Sequence, residues 1–140
     1  MTALYVATAA FTGTGREGHV ETADGRISLD MAYPKEFGGS GAGSNPEQLV
    51  AMGYAACFSD ALSTVARQRG VVLSAVEVTC SVSLRRSDDA QSLSFDIVAC
   101  LPGMAAAEAD KLVAEAHTLC PYSRAFDHGA PTQARAAPPT

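Results

Sequence analysis

Two of the four cysteines, Cys57 and Cys120, stand in contexts that could support thiol chemistry. Cys57 follows a patch of small residues, Tyr54-Ala55-Ala56, and Cys120 directly precedes a proline, where the backbone must leave the helical conformation. A thiol in such a place can be a packed core residue, a metal ligand or a nucleophile. The residues around these two cysteines leave all three roles open.

The other two cysteines are predicted to be structural. Cys80 continues the apolar face of a predicted strand, together with Val78 and Val82, and Cys100 ends the next strand with no partner signal nearby. Buried free cysteine commonly serves as a small hydrophobic residue. We therefore look for chemistry at Cys57 and Cys120 first.

A zinc site would use Cys57, Cys120 and His117. His117 and Cys120 are three residues apart, a spacing that can place two ligands on one helical face. Structural zinc requires four nitrogen or sulfur ligands, and the sequence offers neither a fourth candidate nor a Cys-x-x-Cys pair. His117 is also typical of a residue that interacts with the negative end of a helix.

Local patterns predict a long helix that carries Cys57. Asn45 and Gln48 can form a capping box around Pro46, and Gly70 is a typical C-terminal stop. The helix would have about 24 residues, which is long for a globular domain. Its apolar residues spread around most of the circumference, so we expect a central helix that is buried on several sides.

Strands are predicted on both sides of this helix. Residues 3–11 look strand-like, and Asp24-Gly25 between alternating segments indicates a hairpin. Residues 74–85 and 92–100 alternate between apolar and polar side chains, and residues 104–119 favour a second helix. The order β-β-β-α-β-β-α indicates an α+β protein.

Length and charge exclude several classes of function. The 140 residues are expected to form a single domain over 1–128, followed by a proline-rich tail, 129–140, that is predicted to be disordered. A net charge of −5 with scattered basic residues argues against binding to nucleic acid or to an anionic membrane. No positively charged leader and no apolar run of roughly 20 residues is evident, so we expect a cytoplasmic protein.

Four segments, in this order, resemble the Ohr/OsmC family. They are 15–18 (GREG), 45–49 (NPEQL), 53–58 (GYAACF) and 116–123 (AHTLCPYS). The resemblance extends over residues 3–126. The NPEQL segment and the tyrosine after Cys-Pro favour the Ohr branch, which is associated with resistance to organic hydroperoxides, whereas Arg124 leans toward the OsmC branch.

The resemblance implies an OsmC-like fold, in which antiparallel sheets pack around a long central helix in an intertwined homodimer. It also implies a thiol peroxidase without a metal or organic cofactor. Cys57 would be the peroxidatic cysteine and Cys120 the resolving one, while Arg16 and Glu47 would support the thiolate. The substrate would be an organic hydroperoxide, and the reductant dihydrolipoamide or a lipoylated protein.

The chemistry agrees with these residue types. Only a thiolate attacks the peroxide bond, and a cysteine with a pKa of about 8.5 is only a few per cent thiolate at pH 7. Cys57 lies in the middle of its helix, so the N-terminus of that helix cannot lower its pKa, and a cation such as Arg16 is needed. A facing Asp60 would raise the pKa instead.

The spacing of Glu47 and Cys57 predicts how a dimer would share its sites. Ten residues of helix separate them by about 15 Å along the axis, too far for one glutamate to bridge. Two antiparallel copies of the helix that cross near Met52-Gly53 would place Glu47 of one copy beside Cys57 of the other.

Two alternatives to the Ohr-type peroxidase stay open. One is an OsmC-like peroxidase with a broader preference for peroxides, and the other is a non-enzymatic, thiol-containing stress or binding protein on the same fold. The aromatic residues Phe58, Tyr122 and Phe126 are candidates for the walls of a substrate pocket.

Overall fold

The computed structural model describes residues 2–138. Within them it contains two antiparallel sheets, with strand orders β1-β2-β3 and β4-β5, and three α-helices. The elements are β1 (Ala9–Thr14), β2 (Glu17–Thr22), β3 (Ser28–Met31), α1 (Pro46–Gln68), β4 (Glu77–Ser87), β5 (Ala90–Cys100), α2 (Ala106–Leu119) and α3 (Pro121–His128). The predicted α+β class is confirmed.

The chain divides into two compact units, one up to Val50 and one from Ala51. The first unit contains the three-stranded sheet, and the second contains the two-stranded sheet with α2 and α3. The single domain over residues 1–128 stays a prediction.

The predicted hairpin at Asp24-Gly25 is present in the first unit. Strands β2 and β3 pair from Gly18↔Met31 to Glu21↔Ser28. The backbone amide of Gly25 donates to the carbonyl of Thr22 at 2.9 Å, and Gly25 has a φ of +73°, which glycine adopts without strain. The local turn signal was therefore sufficient to locate this hairpin.

Strand β1 begins six residues later than the predicted strand over 3–11. Its pairing with β2 starts at Ala9↔Thr22, and the side chains of Leu4, Tyr5 and Val6 are exposed. An apolar segment becomes a strand only where a neighbouring strand pairs with its backbone groups. The last residue of β2, Thr22, pairs with Ala9, so the residues before Ala9 have no partner strand in β2.

Helix α1 begins with the predicted capping box. The backbone amide of Gln48 donates to Asn45 Oδ1 at 2.9 Å, and the amide of Asn45 donates to Gln48 Oε1 at 3.2 Å. At the other end the amide of Gly70 donates to the carbonyl of Arg67, with Gly70 at a φ of +71°. Both ends of the helix therefore follow from local hydrogen-bonding signals.

The prediction that α1 is buried on several sides is wrong for the single chain. Its fully buried residues follow one stripe, whereas Met52 is 59% exposed. The stripe consists of Tyr54, Phe58, Ala61, Leu62, Val65 and Ala66. An apolar residue is buried only if another element packs against it. Within the chain, other elements pack closely against α1 only along this stripe.

By length and composition alone, α1 is apolar enough to cross a membrane, since an 18-residue window within it has a mean hydropathy of 1.4. The expectation that no segment reaches this limit was therefore wrong. A helix that packs in a protein core meets the same criterion, and the buried stripe of α1 does form the core of the second unit.

The core of the second unit packs this stripe against the sheet and against α2. Leu112, Ala116 and Cys120 are fully buried in it, and half-buried residues of β4 and β5 pack on the same cluster. The predicted alternation is present in β4, where Val78, Cys80 and their in-phase neighbours are half-buried between exposed positions.

Helix α3 was not predicted as a separate element. Cys120 is extended, with φ −62° and ψ 121°, as expected before proline, but Pro121 then starts a new helix at its first position. Beyond it, residues 129–138 are exposed and form neither helix nor strand. The disorder of 129–140 stays a prediction, and its last two residues lie outside the described part of the chain.

Candidate active site

The structure brings Cys57 and Cys120 together, although 63 residues separate them in the sequence. Their Sγ atoms are 3.5 Å apart, and both cysteines are free thiols. Cys57 is half-buried on α1, whereas Cys120 is fully buried. A disulfide has a sulfur–sulfur distance of about 2.05 Å, so an adjustment of roughly 1.5 Å would join them.

The break between α2 and α3 determines where the Cys120 thiol lies. The backbone amide of Cys120 donates to the carbonyl of Ala116 at 2.8 Å, and its carbonyl accepts from the amide of Arg124 at 3.0 Å. Cys120 is thus the last residue hydrogen-bonded to one helix and the first of the next. Because Pro121 prevents a continuous helix, the side chain is held at a corner of the chain.

Burial is the main influence on the Cys57 thiol and raises its pKa. The backbone amide of Tyr122 acts in the opposite direction, while the Cys120 side chain and the charge of Asp60 raise the pKa further. This is the direction expected for a carboxylate that lies near a thiol. These surroundings favour the neutral thiol, so a reactive Cys57 needs an additional positive charge.

The effect of Tyr122 corrects one step of the sequence argument. That argument considered only the N-terminus of α1, which is too far from Cys57. Tyr122 belongs to the first turn of α3, where backbone amides have no partner within the helix and favour a nearby negative charge. The N-terminus of α3 thus lowers the pKa of Cys57, which the N-terminus of α1 is too distant to do.

In the first unit, Arg16 and Glu47 form a two-pronged ion pair. Arg16 Nη1 donates to Glu47 Oε2 at 2.6 Å, and Nη2 donates to Oε1 at 2.9 Å. The side chains are only 25% and 20% exposed. The hydrogen bonds from Arg16 are the main cause that lowers the pKa of Glu47, and Glu47 in turn raises the pKa of Arg16, so both groups stay charged.

Local structure positions both members of this pair. Arg16 follows Gly15 in the two-residue turn between β1 and β2, and Gly15 has a φ of +62° that favours glycine. Glu47 lies in the first turn of α1. The Tyr33 ring centroid is 6.0 Å from the guanidinium carbon of Arg16, at the outer limit for a cation–π contact.

An aromatic cluster in the second unit borders a cavity of about 510 Å³. Phe95 and Phe126 stack at 4.3 Å between ring centroids, and Tyr54 contacts both rings. Of the predicted pocket walls, Phe58 and Phe126 line the cavity and Tyr122 does not. Neither Cys57 nor Cys120 lines it, so the thiols lie outside this cavity.

Gly53 has a packing reason within the chain. A Cβ atom at this position would lie 2.7 Å from the hydroxyl oxygen of Tyr122, closer than unbonded atoms allow. The glycine thus gives the Tyr122 ring room against α1. The crossing of two helices near Met52-Gly53 stays a prediction.

The zinc alternative receives no support from the arrangement of its ligands. Nδ1 of His117 lies 3.0 Å from Ser123 Oγ, and Nε2 lies 2.8 Å from a carboxylate oxygen of Asp127. Both ring nitrogens are therefore engaged away from the cysteines. Within residues 2–138, no three His, Cys, Asp or Glu side chains are grouped as metal ligands would be.

Sequence analysis did not identify Tyr54, Ser123 and Asp127 as polar neighbours of this region. Ser123 and Asp127 both follow the Cys120-Pro121 break closely in the sequence, and that proximity was a usable signal. No local sequence signal pointed to Tyr54, because it lies 69 residues from Ser123, whose hydroxyl oxygen is 2.6 Å from that of Tyr54.

Comparison with known proteins agrees with the fold and with the four sequence segments. The family model for OsmC-like proteins matches residues 38–135. An organic hydroperoxide resistance protein of Xanthomonas axonopodis pv. citri is 41% identical over 124 residues, which cover 87% of each chain. The chain therefore belongs to the Ohr/OsmC family.

Solved structures show the same relationship. A crystal structure of an organic hydroperoxide resistance protein from Legionella pneumophila has a TM-score of 0.86 at 45% identity, with 91% of this chain and 93% of that one covered. The organic hydroperoxide resistance protein OhrB of Bacillus subtilis has a TM-score of 0.81 at 35% identity, with coverage of 90% and 93%. The predicted OsmC-like fold is thereby confirmed.

Proposed function

We propose that this protein is a cysteine-based peroxidase that reduces organic hydroperoxides to alcohols and is recycled by lipoyl dithiols. The observation that carries the proposal is the 3.5 Å separation of two free thiols, Cys57 and Cys120. Membership of the Ohr/OsmC family and the names of the relatives support the choice of substrate class.

In the first step, the Cys57 thiolate attacks the terminal oxygen of the hydroperoxide. The sulfur–oxygen bond forms as the oxygen–oxygen bond breaks, and the departing alkoxide takes up a proton to leave as the alcohol. The sulfur is oxidised to a sulfenic acid, and the peroxide is reduced by two electrons. The half-exposed position of Cys57 suits this role better than the full burial of Cys120.

In the second step, the sulfur of Cys120 attacks the sulfenic sulfur of Cys57. The sulfur–sulfur bond forms as the sulfur–oxygen bond breaks, and the hydroxide leaves as water with the thiol proton of Cys120. A dihydrolipoyl dithiol then exchanges with the disulfide, so that both cysteines return to thiols and the lipoyl group becomes the cyclic disulfide. No metal or organic cofactor takes part in the proposed cycle.

We assign to Arg16 the positive charge that the Cys57 thiolate requires. Burial, the neighbouring thiol and Asp60 all raise the pKa of Cys57, and a cation opposes them. The two hydrogen bonds to Glu47 hold the guanidinium in one orientation. This assignment is supported by the resemblance of the segments around Arg16 and Glu47 to the family.

Replacing Arg16 by glutamine is expected to raise the pKa of Cys57 by about one unit and to slow peroxide consumption at pH 7 about tenfold, since one pKa unit changes the thiolate fraction by that factor. The pH dependence of alkylation by iodoacetamide measures the pKa directly. Arg26→Gln is the matched control, because Arg26 is an exposed arginine of the same unit, 87% exposed at its side chain. An unchanged pKa in Arg16→Gln would remove Arg16 from the mechanism.

We also propose that the protein works as a homodimer in the cytoplasm. The single chain leaves large apolar side chains exposed, including Met52 on α1 and, in the other unit, Leu4 and Tyr5. A second copy that covers such residues would explain why they are apolar. In this proposal Glu47 of one copy serves the site that contains Cys57 of the other.

The deciding experiment compares two peroxides and two reductants. The reduced protein is mixed rapidly with cumene hydroperoxide or with hydrogen peroxide, and the loss of the Cys57 thiol is followed. Turnover is then measured with dihydrolipoamide and, separately, with thioredoxin. We expect cumene hydroperoxide to react at least about tenfold faster than hydrogen peroxide, because Cys57 packs against the apolar core cluster, where an apolar substituent adds binding energy. We expect only dihydrolipoamide to sustain turnover.

The other outcomes discriminate between the alternatives. Comparable rates with both peroxides would favour an OsmC-like peroxidase with a broader preference. An unreactive Cys57 would instead favour a non-enzymatic protein on the same fold. Turnover with thioredoxin alone would keep the peroxidase and replace the proposed reductant.

A further inference from the structure

A chain of four polar side chains lies beside the thiols, and the proposed mechanism does not use it. Tyr54 Oη is 2.6 Å from Ser123 Oγ, Ser123 Oγ is 3.0 Å from His117 Nδ1, and His117 Nε2 is 2.8 Å from Asp127 Oδ2. We call Tyr54, Ser123, His117 and Asp127 the junction network. Ser123 is only 1% exposed, yet its hydroxyl has two partners.

The direction of the hydrogen bonds in the junction network depends on the tautomer of His117. His117 Nε2 and Asp127 Oδ2 are in ion-pair contact at 2.8 Å, which favours the tautomer whose proton is on Nε2. In the neutral imidazole Nδ1 then accepts from the Ser123 hydroxyl, and the Ser123 oxygen accepts from Tyr54. In this state the hydroxyls of Tyr54 and Ser123 each have an acceptor, so the network favours one arrangement of its side chains.

The junction network spans the break that carries Cys120. His117 lies in the last turn of α2, Ser123 and Asp127 lie in α3, and Tyr54 lies on α1 one turn before Cys57. Since Cys120-Pro121 interrupts the helix, backbone hydrogen bonds alone do not determine the angle between α2 and α3. The hydrogen bond of His117 with Ser123 and its ion-pair contact with Asp127 join both helices across this corner.

We propose that His117 is a positioning residue that holds the Cys120 thiol against Cys57 through the junction network. This inference rests on the proposed function. It concerns the step in which Cys120 displaces hydroxide from the Cys57 sulfenic acid, with the Cys120 proton leaving in the water. The Cys120 side chain is fully buried and cannot reorient freely. A change in the angle between α2 and α3 would therefore move its thiol away from Cys57.

The test separates the two chemical steps in His117→Ala. Consumption of cumene hydroperoxide reports oxidation of Cys57, and mass spectrometry after acid quenching reports the Cys57–Cys120 disulfide. We expect the first step to keep its rate to within a few-fold and disulfide formation to slow roughly tenfold to hundredfold, as a misplacement of about 1 Å can cause. Trapping by dimedone should rise in parallel, because the sulfenic acid persists.

Variants of His117 and a control make the result specific. His117→Asn keeps an amide group near the Nδ1 position for Ser123 and should recover part of the disulfide rate, which a general loss of stability would not allow. Glu115→Gln, on the same helix, removes the ion pair with Arg69 and should change neither step. Should His117→Ala fail to fold, Asp127→Ala removes the carboxylate that contacts His117 Nε2 and tests the other end of the network.

Failure of this inference can be told apart from failure of the proposed function. An unreactive Cys57 in the unmodified protein would count against the peroxidase. Diamide would then serve as the oxidant, since it takes up two hydrogens from a thiol pair and leaves a disulfide. Slower disulfide formation by diamide in His117→Ala would still support positioning. Two outcomes would overturn the positioning role of His117. One is an equal rate of disulfide formation in His117→Ala and the unmodified protein, and the other is an equal slowing of Cys57 oxidation and disulfide formation with peroxide.

Discussion

Cys57→Ser is expected to abolish consumption of organic hydroperoxides, with a loss of at least about a thousandfold, as the removal of a catalytic nucleophile produces. A serine hydroxyl does not ionise near neutral pH, whereas a thiol provides a nucleophilic sulfur that can hold the transferred oxygen. The residual rate is measured with cumene hydroperoxide under conditions in which the unmodified protein completes many turnovers.

Cys80→Ser is the matched control for this prediction. Cys80 is also a half-buried thiol of the second unit, and burial raises its pKa as it does that of Cys57. Its in-phase neighbour on β4, Val78, is apolar, and Cys80 packs on the core cluster without a cysteine partner. We expect Cys80→Ser to retain the peroxidase rate. Loss of activity in Cys80→Ser, with activity retained in Cys57→Ser, would show that Cys57 is not the nucleophile.

The second large effect is expected for Cys120→Ala. The first oxidation should proceed, but the sulfenic acid of Cys57 then has no thiol partner within reach and oxidises further to the sulfinic acid, which thiols do not reduce. Turnover with dihydrolipoamide should fall at least about tenfold, because the disulfide that exchanges with the dithiol no longer forms. Mass spectrometry after repeated additions of peroxide should show two added oxygens at Cys57.

Alanine is preferable to serine at position 120. The site is fully buried, and an unpaired hydroxyl there would cost about 1–3 kcal/mol, which would confuse loss of stability with loss of chemistry. Cys100→Ala is the control, because Cys100 is exposed at the end of β5. Unchanged turnover and no sulfinic acid in Cys120→Ala would exclude Cys120 as the resolving cysteine.

The elements determined by neighbouring residues could be predicted from the sequence. The capping box of Asn45 and Gln48, the stop at Gly70 and the Asp24-Gly25 hairpin all depend on hydrogen bonds between residues a few positions apart, and all three are present. The alternation in β4 also follows from local context, whereas the choice of Cys57 and Cys120 as the reactive cysteines stays a prediction. Four short segments in the right order were enough to identify the family.

Tertiary structure decided every relationship between distant residues. Cys57 and Cys120 are 63 positions apart and Arg16 and Glu47 are 31 apart, and no local rule gives the distances at which they meet. The start of β1 depended on how far β2 extends, and the burial of α1 on which side of it other elements cover. Such features follow from packing between elements, which the pattern of any one segment does not contain.

The corner at Cys120 combines both kinds of information. Proline after Cys120 is a local signal, and it correctly marks the end of α2. Three features became evident only in three dimensions. Pro121 opens α3, the first turn of α3 presents the Tyr122 amide to Cys57, and His117 contacts Ser123 and Asp127. A backbone break can be identified from covalent geometry, but the direction of the chain beyond it depends on the contacts that α3 makes with α1 and α2.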